Sequence, residues 1–437
     1  MFWVAEHGRI SRGNSDKNLD DGNLQLSTEN FDSILTLLED PTQPGLNPIF
    51  QYSRSYGRDL LTVQEYAGVI RTDSGCQIEI LPKISRKADP GSARELLVKM
   101  LIELSESPFR AGTLADLHAH DMPLFEILMR QFLEHVGDIV RKGIARTYVS
   151  QQDNLIFLRG KLQLSEHIRR NVSDLSRLYC EFEEFEIDRP INRLIKGALE
   201  IVNRLSTDAI NQQRCRELLY WFDRVTGTRD SNRDFRAVQQ DRLIQHYAPA
   251  MPTCRLILDG LNPLTRQGES QVLSILFPMS QLFESYVSAK LGKQLPDWNV
   301  STQVHGQSLI EKHQGEGMFK LIPDLKLRRG QENVIADTKW KLLDQNARQK
   351  NYGITQADVY QLFAYSRKYL ANQEPRRVAL IYPRTDSFDK QLPPFWFQEN
   401  KEVLYVLPYD LEGDRLVMDE DYILFEAANS GPLSTVV

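Results

Sequence analysis

The chain has 437 residues with 41% hydrophobic and 26% charged, a composition that excludes a disordered, collagen-like or low-complexity protein. At roughly 100 to 200 residues per domain its length allows two to four domains. A formal net charge of −6 and a pI near 5.9 exclude a globally basic nucleic-acid coat, so any contact with nucleic acid must be regional.

No stretch approaches the 18 or so uninterrupted apolar residues of a membrane span, and the N-terminus MFWVAEHGRISRG lacks the apolar core of a secretory signal. A cytoplasmic protein without membrane contact is expected. Four cysteines, Cys76, Cys180, Cys215 and Cys254, show no CxxC spacing, which argues for reduced, structural thiols rather than a zinc site or disulfide framework.

In chain order, FDSILTLLED predicts a short amphipathic helix and PTQPGLNP an exposed loop. LLTVQEYAGVIRT and CQIEILPKI flank the turn signal Asp73-Ser74-Gly75 and predict a hairpin in a β-rich region. Ser92 with Glu95 three residues on is a capping-box pattern that predicts a helix from about 92 to 106. Leu124, Leu128, Phe132, Val136 and Val140 place one apolar stripe on a second helix. TYVSQQDNLIFLRGKLQL predicts a hairpin turning near Asp153-Asn154, and a mainly helical stretch follows from about 188 to 245, with Asp188 as N-cap and Pro190 in the first turn.

From about residue 270 the pattern changes to αβββαββ: the helix FPMSQLFESYVSAKLGKQL, strands in NVSTQVH, MFKLIPDLKLR and VIADTKWK, the helix TQADVYQLFAYSRKYL, and the strands RVALIYP and EVLYVLP. The expected class is α/β multidomain: a β-rich N-terminal region over 1–150, a helical middle over 151–270, and an αβββαβ core over 271–437.

Chemistry concentrates in that last region. Asp324 and, thirteen residues later, Asp337-Thr338-Lys339 lie on two strands joined by a turn at Arg329-Gly330. Strand alternation puts Asp337 and Lys339 on one face and Thr338 on the other. Carboxylates on neighbouring strands can hold one or two Mg²⁺ ions through hard oxygen ligands for phosphodiester hydrolysis, with Lys339 orienting water or stabilising charge. Glu284 on the preceding helix is a further candidate metal carboxylate, and Gln361 and Tyr365, four apart on one helix face, are placed to reach DNA or a metal-bound water.

Two other groups have a bland reading beside a functional one. Asp116, His118, His120 and Asp121 have the residue types of a metal site but lie outside the nuclease pattern. Arg189, Arg193 and Lys196 recur at helical spacing and make either a phosphate-facing stripe or a solvated face.

The PD and DTK elements resemble the PD-(D/E)xK nuclease superfamily, and Gln361-xxx-Tyr365 resembles the QxxxY motif of its RecB-like branch. IEILPKI at 78–84, LRGKL at 158–162, DRPINRLIK at 188–196, LFES at 282–285 and IADTKWK at 335–341 are similar to stretches of the McrC family, the nuclease subunits of McrBC modification-dependent restriction systems. The resemblance implies a restriction-endonuclease-like core that cuts double-stranded DNA carrying modified cytosine. It also implies a hexameric McrB-like AAA+ GTPase as partner, stimulated by this chain and docked through residues 1 to about 150. The chain has no GxxxxGK[ST] phosphate loop of its own, which fits the need for an external motor. A stand-alone repair or recombination nuclease and a non-catalytic DNA-clamp adaptor of a AAA+ ring remain the alternatives.

Overall fold

The computed structural model describes residues 2–39, 49–55, 57–72, 75–83, 89–104, 122–174, 176–238, 242–258, 273–397 and 401–419. The loop PTQPGLNP, the turn residues Asp73-Ser74 and the cluster at 116–121 lie outside them. The described chain divides into two compact units: the residues up to 104 join those from 273 onward, and residues 122–258 form the other.

In the first unit, alternating apolar residues build two N-terminal sheets. One orders Lys17–Asn18, Leu24–Ser27, Arg9–Gly13, Arg58–Val63 and Phe50–Ser55. The other orders Phe2–Ala5, Gln77–Leu81, Tyr66–Arg71 and Leu273–Pro278. LLTVQEYAGVIRT, expected as one strand, is divided between the two sheets at Gln64-Glu65. Its second half pairs antiparallel with Gln77–Leu81. Helix Thr28–Glu39 turns Phe31 and Ile34 into their shared core with Ile10, Leu61, Ile78 and Leu276.

Leu273–Pro278 is the consequential strand. It pairs antiparallel with Tyr66–Arg71, and Pro278 leads directly into helix Met279–Gln294. The backbone of Gly68 has φ +143°, and a Cβ built there would lie 1.8 Å from the Ile275 carbonyl oxygen. Only glycine lets the two strands approach.

The C-terminal sheet orders Asn299–Thr302, Leu325–Arg329, Glu332–Thr338, Arg376–Pro383, Glu402–Asp410 and Phe395–Trp396, with Arg415–Leu416 also on Glu402–Asp410. Its first three strands are antiparallel, and Glu332–Thr338, Arg376–Pro383 and Glu402–Asp410 run parallel. Helix Gln356–Tyr369 covers one face, started by a capping box between Thr355 and Asp358. MFKLIPDLKLR breaks at Ile322-Pro323-Asp324, and its first half pairs back as Glu316–Leu321 on Gln307–His313, a separate two-stranded ribbon absent from the expected order. Proline has no N–H for the ladder, so the strand ends there.

The middle unit has two parts. Helix Pro190–Leu205 buries Ile191, Leu194, Ile195, Ala198, Leu199 and Val202 among its neighbours, and the buried Glu126 carboxylate accepts from Ser206 Oγ at 2.7 Å and Thr207 N at 2.6 Å. A three-stranded sheet orders Lys161–Leu162, Leu178–Glu186 and Thr147–Leu155.

Several local expectations change. The helix expected from 92 spans Pro90–Glu103, because Asp89 accepts from Ser92 N and Pro90 opens the first turn. Asp188 does not cap Pro190–Leu205; its carboxylate instead accepts from Thr226 N and Oγ1. Asp153-Asn154 form no turn but stay extended opposite Cys180 and Tyr179. The division into 1–150, 151–270 and 271–437 also differs from the contacts: helix Leu124–Lys142 belongs to the middle unit, and the N-terminal sheets belong with the C-terminal region because Leu273–Pro278 is one of their strands.

A side chain at Gly68 must displace backbone. Gly68→Ala is expected to destabilise the chain by more than ~1 kcal/mol, read as a lower midpoint in urea unfolding. A midpoint equal to that of the unsubstituted chain would contradict this strand pairing.

Candidate active site

The register that pairs Leu325 with Ala336 puts Asp324 and Asp337 across from each other at one end of two antiparallel strands. Asp337 is 1% exposed, and its Oδ2 lies 2.5 Å from Lys339 Nζ. Asp324 is oriented from the same strand: its Oδ2 accepts from Thr338 N and Thr338 Oγ1, both at 2.8 Å. Thr338, expected to face away, is therefore part of the arrangement. Alternation misled there because the motif sits where the strand ends, and Thr338's backbone N–H is free to leave the ladder.

Glu284 arrives from helix Met279–Gln294 and accepts from Gln303 Nε2. The Gln303 backbone in turn donates to the Asp324 carbonyl at 2.9 Å, so one residue ties two carboxylate carriers together. No local sequence signal marks Gln303, since its role depends on a contact across 19 residues.

Helix Gln356–Tyr369 supplies a relay. Lys339 Nζ donates to Gln361 Oε1 at 3.0 Å, Gln361 Nε2 to Tyr365 OH at 2.8 Å, and Tyr365 OH to the Ile322 carbonyl at 3.0 Å. Tyr365 is 3% exposed and its hydroxyl is consumed within the fold. Tyr365, expected to reach DNA or a metal-bound water, bonds inward here: it touches Lys339 through Gln361 and holds the backbone just ahead of Asp324. Burial raises the Tyr365 hydroxyl to about 12, so it remains a neutral donor.

Electrostatics follow from crowding like charges in a half-dry site. Burial, then the charge of Asp324, lifts the Asp337 carboxyl to about 7, while Lys339 pulls it back. Burial also raises Asp324, against the Thr338 bonds, and raises Glu284 together with the charge of Asp324. Burial opposes the charge on Lys339, but Asp337 and then Asp324 more than offset it, and its pKa rises. Three carboxylates thus pay a solvation cost around one ammonium, an arrangement that lacks positive charge.

A hard divalent cation fits that deficit. Among the described residues no group of three or more His, Cys, Asp or Glu side chains is gathered tightly enough to hold a metal alone. Mg²⁺ does not need such a cage, since it binds through one or two carboxylates and completes its shell with water and substrate phosphate oxygens. Asp324 and Asp337 suit that donor set, with Glu284 beside them.

Arg193 and Lys196 do not form a phosphate-facing stripe. Arg193 pairs with Asp234 at 3.2 Å, and Lys196 Nζ donates to the Val225 carbonyl at 2.6 Å. The candidate metal cluster Asp116, His118, His120 and Asp121 lies outside the described residues. Among the described residues no disulfide joins the four cysteines, and no helix is long and apolar enough to cross a membrane.

No curated protein sequence matches the chain. Among solved structures it is similar to a chain of a refined half-complex from a tetradecameric assembly of Thermococcus gammatolerans McrB AAA+ hexamers with bound McrC, at 19% identity and a TM-score of 0.68 over 94% of each chain. It is also similar to a chain of the cryo-EM structure of the Thermococcus gammatolerans McrBC complex, at 20% identity and a TM-score of 0.51 over 67% of this chain and 88% of that one. At these identities the likeness is one of fold. The family model described as McrBC 5-methylcytosine restriction system component matches residues 61–383, well over half of the sequence, and the chain belongs to that family.

Proposed function

We propose that the chain is the nuclease subunit of a modification-dependent restriction complex, hydrolysing phosphodiester bonds of double-stranded DNA with Mg²⁺. The observation that carries this reading is the buried Asp337–Lys339 pair beside Asp324 and Glu284, a carboxylate-rich site one ammonium cannot neutralise. When bound, the ion supplies Lewis-acid polarisation of the phosphate and an acidified water. Asp324 and Asp337 hold it, and Thr338 fixes Asp324. Lys339, aimed by Gln361, stabilises charge on the scissile phosphate or orients the attacking water.

The proposed partner is a McrB-like hexameric AAA+ GTPase, whose turnover the chain stimulates and which delivers DNA bearing modified cytosine. Docking through residues 1–150 draws on both units, since strands up to 81 belong to the unit that carries Asp324 and Asp337 and helix Leu124–Lys142 to the other. The middle unit offers one surface for it. Ile156, Phe157 and Leu158 are 73%, 59% and 61% exposed, next to exposed Leu164, Ile168 and Val172. Exposed apolar side chains gathered in the connection after strand Thr147–Leu155 and on helix Leu164–Arg170 mark a protein contact, and a motor ring is the occupant proposed.

Two outcomes are expected for the site. Asp337→Asn should slow Mg²⁺-dependent cleavage by on the order of a thousandfold, because a metal carboxylate supplies several kcal/mol at ~1.4 kcal/mol per tenfold. Lys339→Ala should slow cleavage similarly while calorimetry still detects Mg²⁺ binding. Normal cleavage by folded Asp337→Asn sinks the assignment, and cleavage without partner or GTP favours a stand-alone nuclease.

Replacing Phe157 and Leu158 by serine should cut stimulation of the partner's GTPase at least about tenfold. Full stimulation by that variant places docking elsewhere.

The Asp337 carboxyl also predicts a trade of stability for function. Its pKa is raised from 3.8 to about 7 in the folded chain, so the folded state binds that proton more tightly. Its contribution to stability is complete below pH ~4 and is lost as pH rises through about 7. At pH 8 without divalent ions, Asp337→Asn should therefore melt higher than the unsubstituted chain, and Mg²⁺ should raise only the latter's Tm. Scanning calorimetry decides, and a lower Tm for the variant contradicts the electrostatic account.

A further inference from the structure

The DTKWK segment sends its side chains to three places. Lys339 enters the candidate site, Lys341 pairs with Asp358 at 3.0 Å, and Trp340, 6% exposed, points back to the N-terminal sheet. There the Trp340 indole N–H donates to both carboxylate oxygens of Glu6, at 2.9 and 2.8 Å. Glu6 is 1% exposed and directly follows strand Phe2–Ala5; its backbone N–H donates to the Leu81 carbonyl at 2.8 Å.

The same indole packs on Phe283, with ring centroids 5.4 Å apart at 57°. Phe283 immediately precedes Glu284. Trp340 thus touches the helix that carries one carboxylate of the site and is covalently next to its lysine. Burial of a carboxylate is costly unless its bonds are worth it. Burial raises Glu6 to about 7, against the Trp340 and Lys83 backbone bonds, with Glu65 and Lys83 the nearby charges and His7 3.7 Å away.

A glutamine or a polar water contact would satisfy an indole N–H more cheaply than a buried carboxylate, and an apolar residue in place of tryptophan would need neither. The arrangement instead fixes where the indole sits in two directions at once.

We propose that Glu6 is a positioning residue for the nuclease site: by holding the Trp340 indole it sets the spacing between Glu284 and the Asp337–Lys339 pair. The inference rests on the nuclease reading above. Displacement of about 1 Å at a reacting group can cost ~100-fold in rate, which is the lever such a contact would act through.

The test uses the full chain with its AAA+ partner, GTP, Mg²⁺ and modified DNA. Glu6→Ala should lower kcat by about tenfold or more with KM for DNA unchanged, and Glu6→Gln, which keeps an acceptor for the indole, should recover most of the loss. Trp340→Phe keeps a ring against Phe283 but has no N–H, and should lower kcat as Glu6→Ala does. It also supplies the answer if Glu6→Ala does not fold. A second readout is independent of cleavage: in ¹⁵N-tryptophan-labelled protein, the indole resonance assigned by its loss in Trp340→Phe should move with Glu6→Ala and far less with Glu6→Gln. Unchanged kcat in folded Glu6→Ala or Trp340→Phe overturns the proposal, as does an indole resonance indifferent to Glu6→Ala. If the unsubstituted chain cuts nothing while Asp337→Asn behaves identically, the nuclease reading fails instead, and the resonance alone then decides whether Glu6 holds Trp340.

Discussion

The structure turns on a shortage of positive charge. Asp324, Asp337 and Glu284 are drawn out of water toward a single ammonium, and Lys339 can lie 2.5 Å from only one of them. Burying ionised groups without full compensation is costly, so the surrounding fold is arranged to hold them regardless. Thr338 pins Asp324, Gln303 pins Glu284, and Gln361 with Tyr365 pins the lysine. Each support comes from a different element, which is why the site needs a sheet, two helices and the base of a ribbon to exist at all.

Polar groups that meet in the candidate site and polar groups spent on the framework separate cleanly. Asp337 pairs with Lys339, with the Asp324 charge beside them. Tyr365 and Trp340 belong to the framework; both are buried, and each uses its single polar hydrogen to fix something else. Tyr369 adds to this framework, its hydroxyl contacting the carbonyls of Val304 at 2.9 Å and Leu321 at 2.7 Å, so the two ends of the Gln307–Leu321 ribbon are clasped by the helix that aims the lysine.

Local patterns in the sequence carried the elements whose chemistry is local. The apolar stripes of Leu124–Lys142 and Pro190–Leu205 and the Asp-x-Lys alternation on one strand could be read directly. Thr338 could not, because the antiparallel pairing with Leu325–Arg329 stops at Ala336 and leaves its N–H to the Asp324 carboxylate. Tyr365 was legible as a motif residue, yet whether its hydroxyl faces substrate or carbonyl depends on Ile322, 43 residues away. The unit boundaries were the least legible feature. Leu273–Pro278 reads equally well as the start of the C-terminal region or as a strand, and only its pairing with Tyr66–Arg71 assigns it to the N-terminal sheet.

That pairing bears on the order of events during synthesis. The sheet begun by Phe2–Ala5 lacks its last strand until residue 278 has been made, and the bond from Trp340 to Glu6 closes a separation of 334 residues. Contacts of such range form late, because loop closure must precede them. A ribosome-bound chain therefore carries its first strands as an unfinished edge while the whole middle unit emerges and folds. The sheet that carries Asp324 and Asp337 is likewise incomplete until Arg376–Pro383 and Glu402–Asp410 have been made.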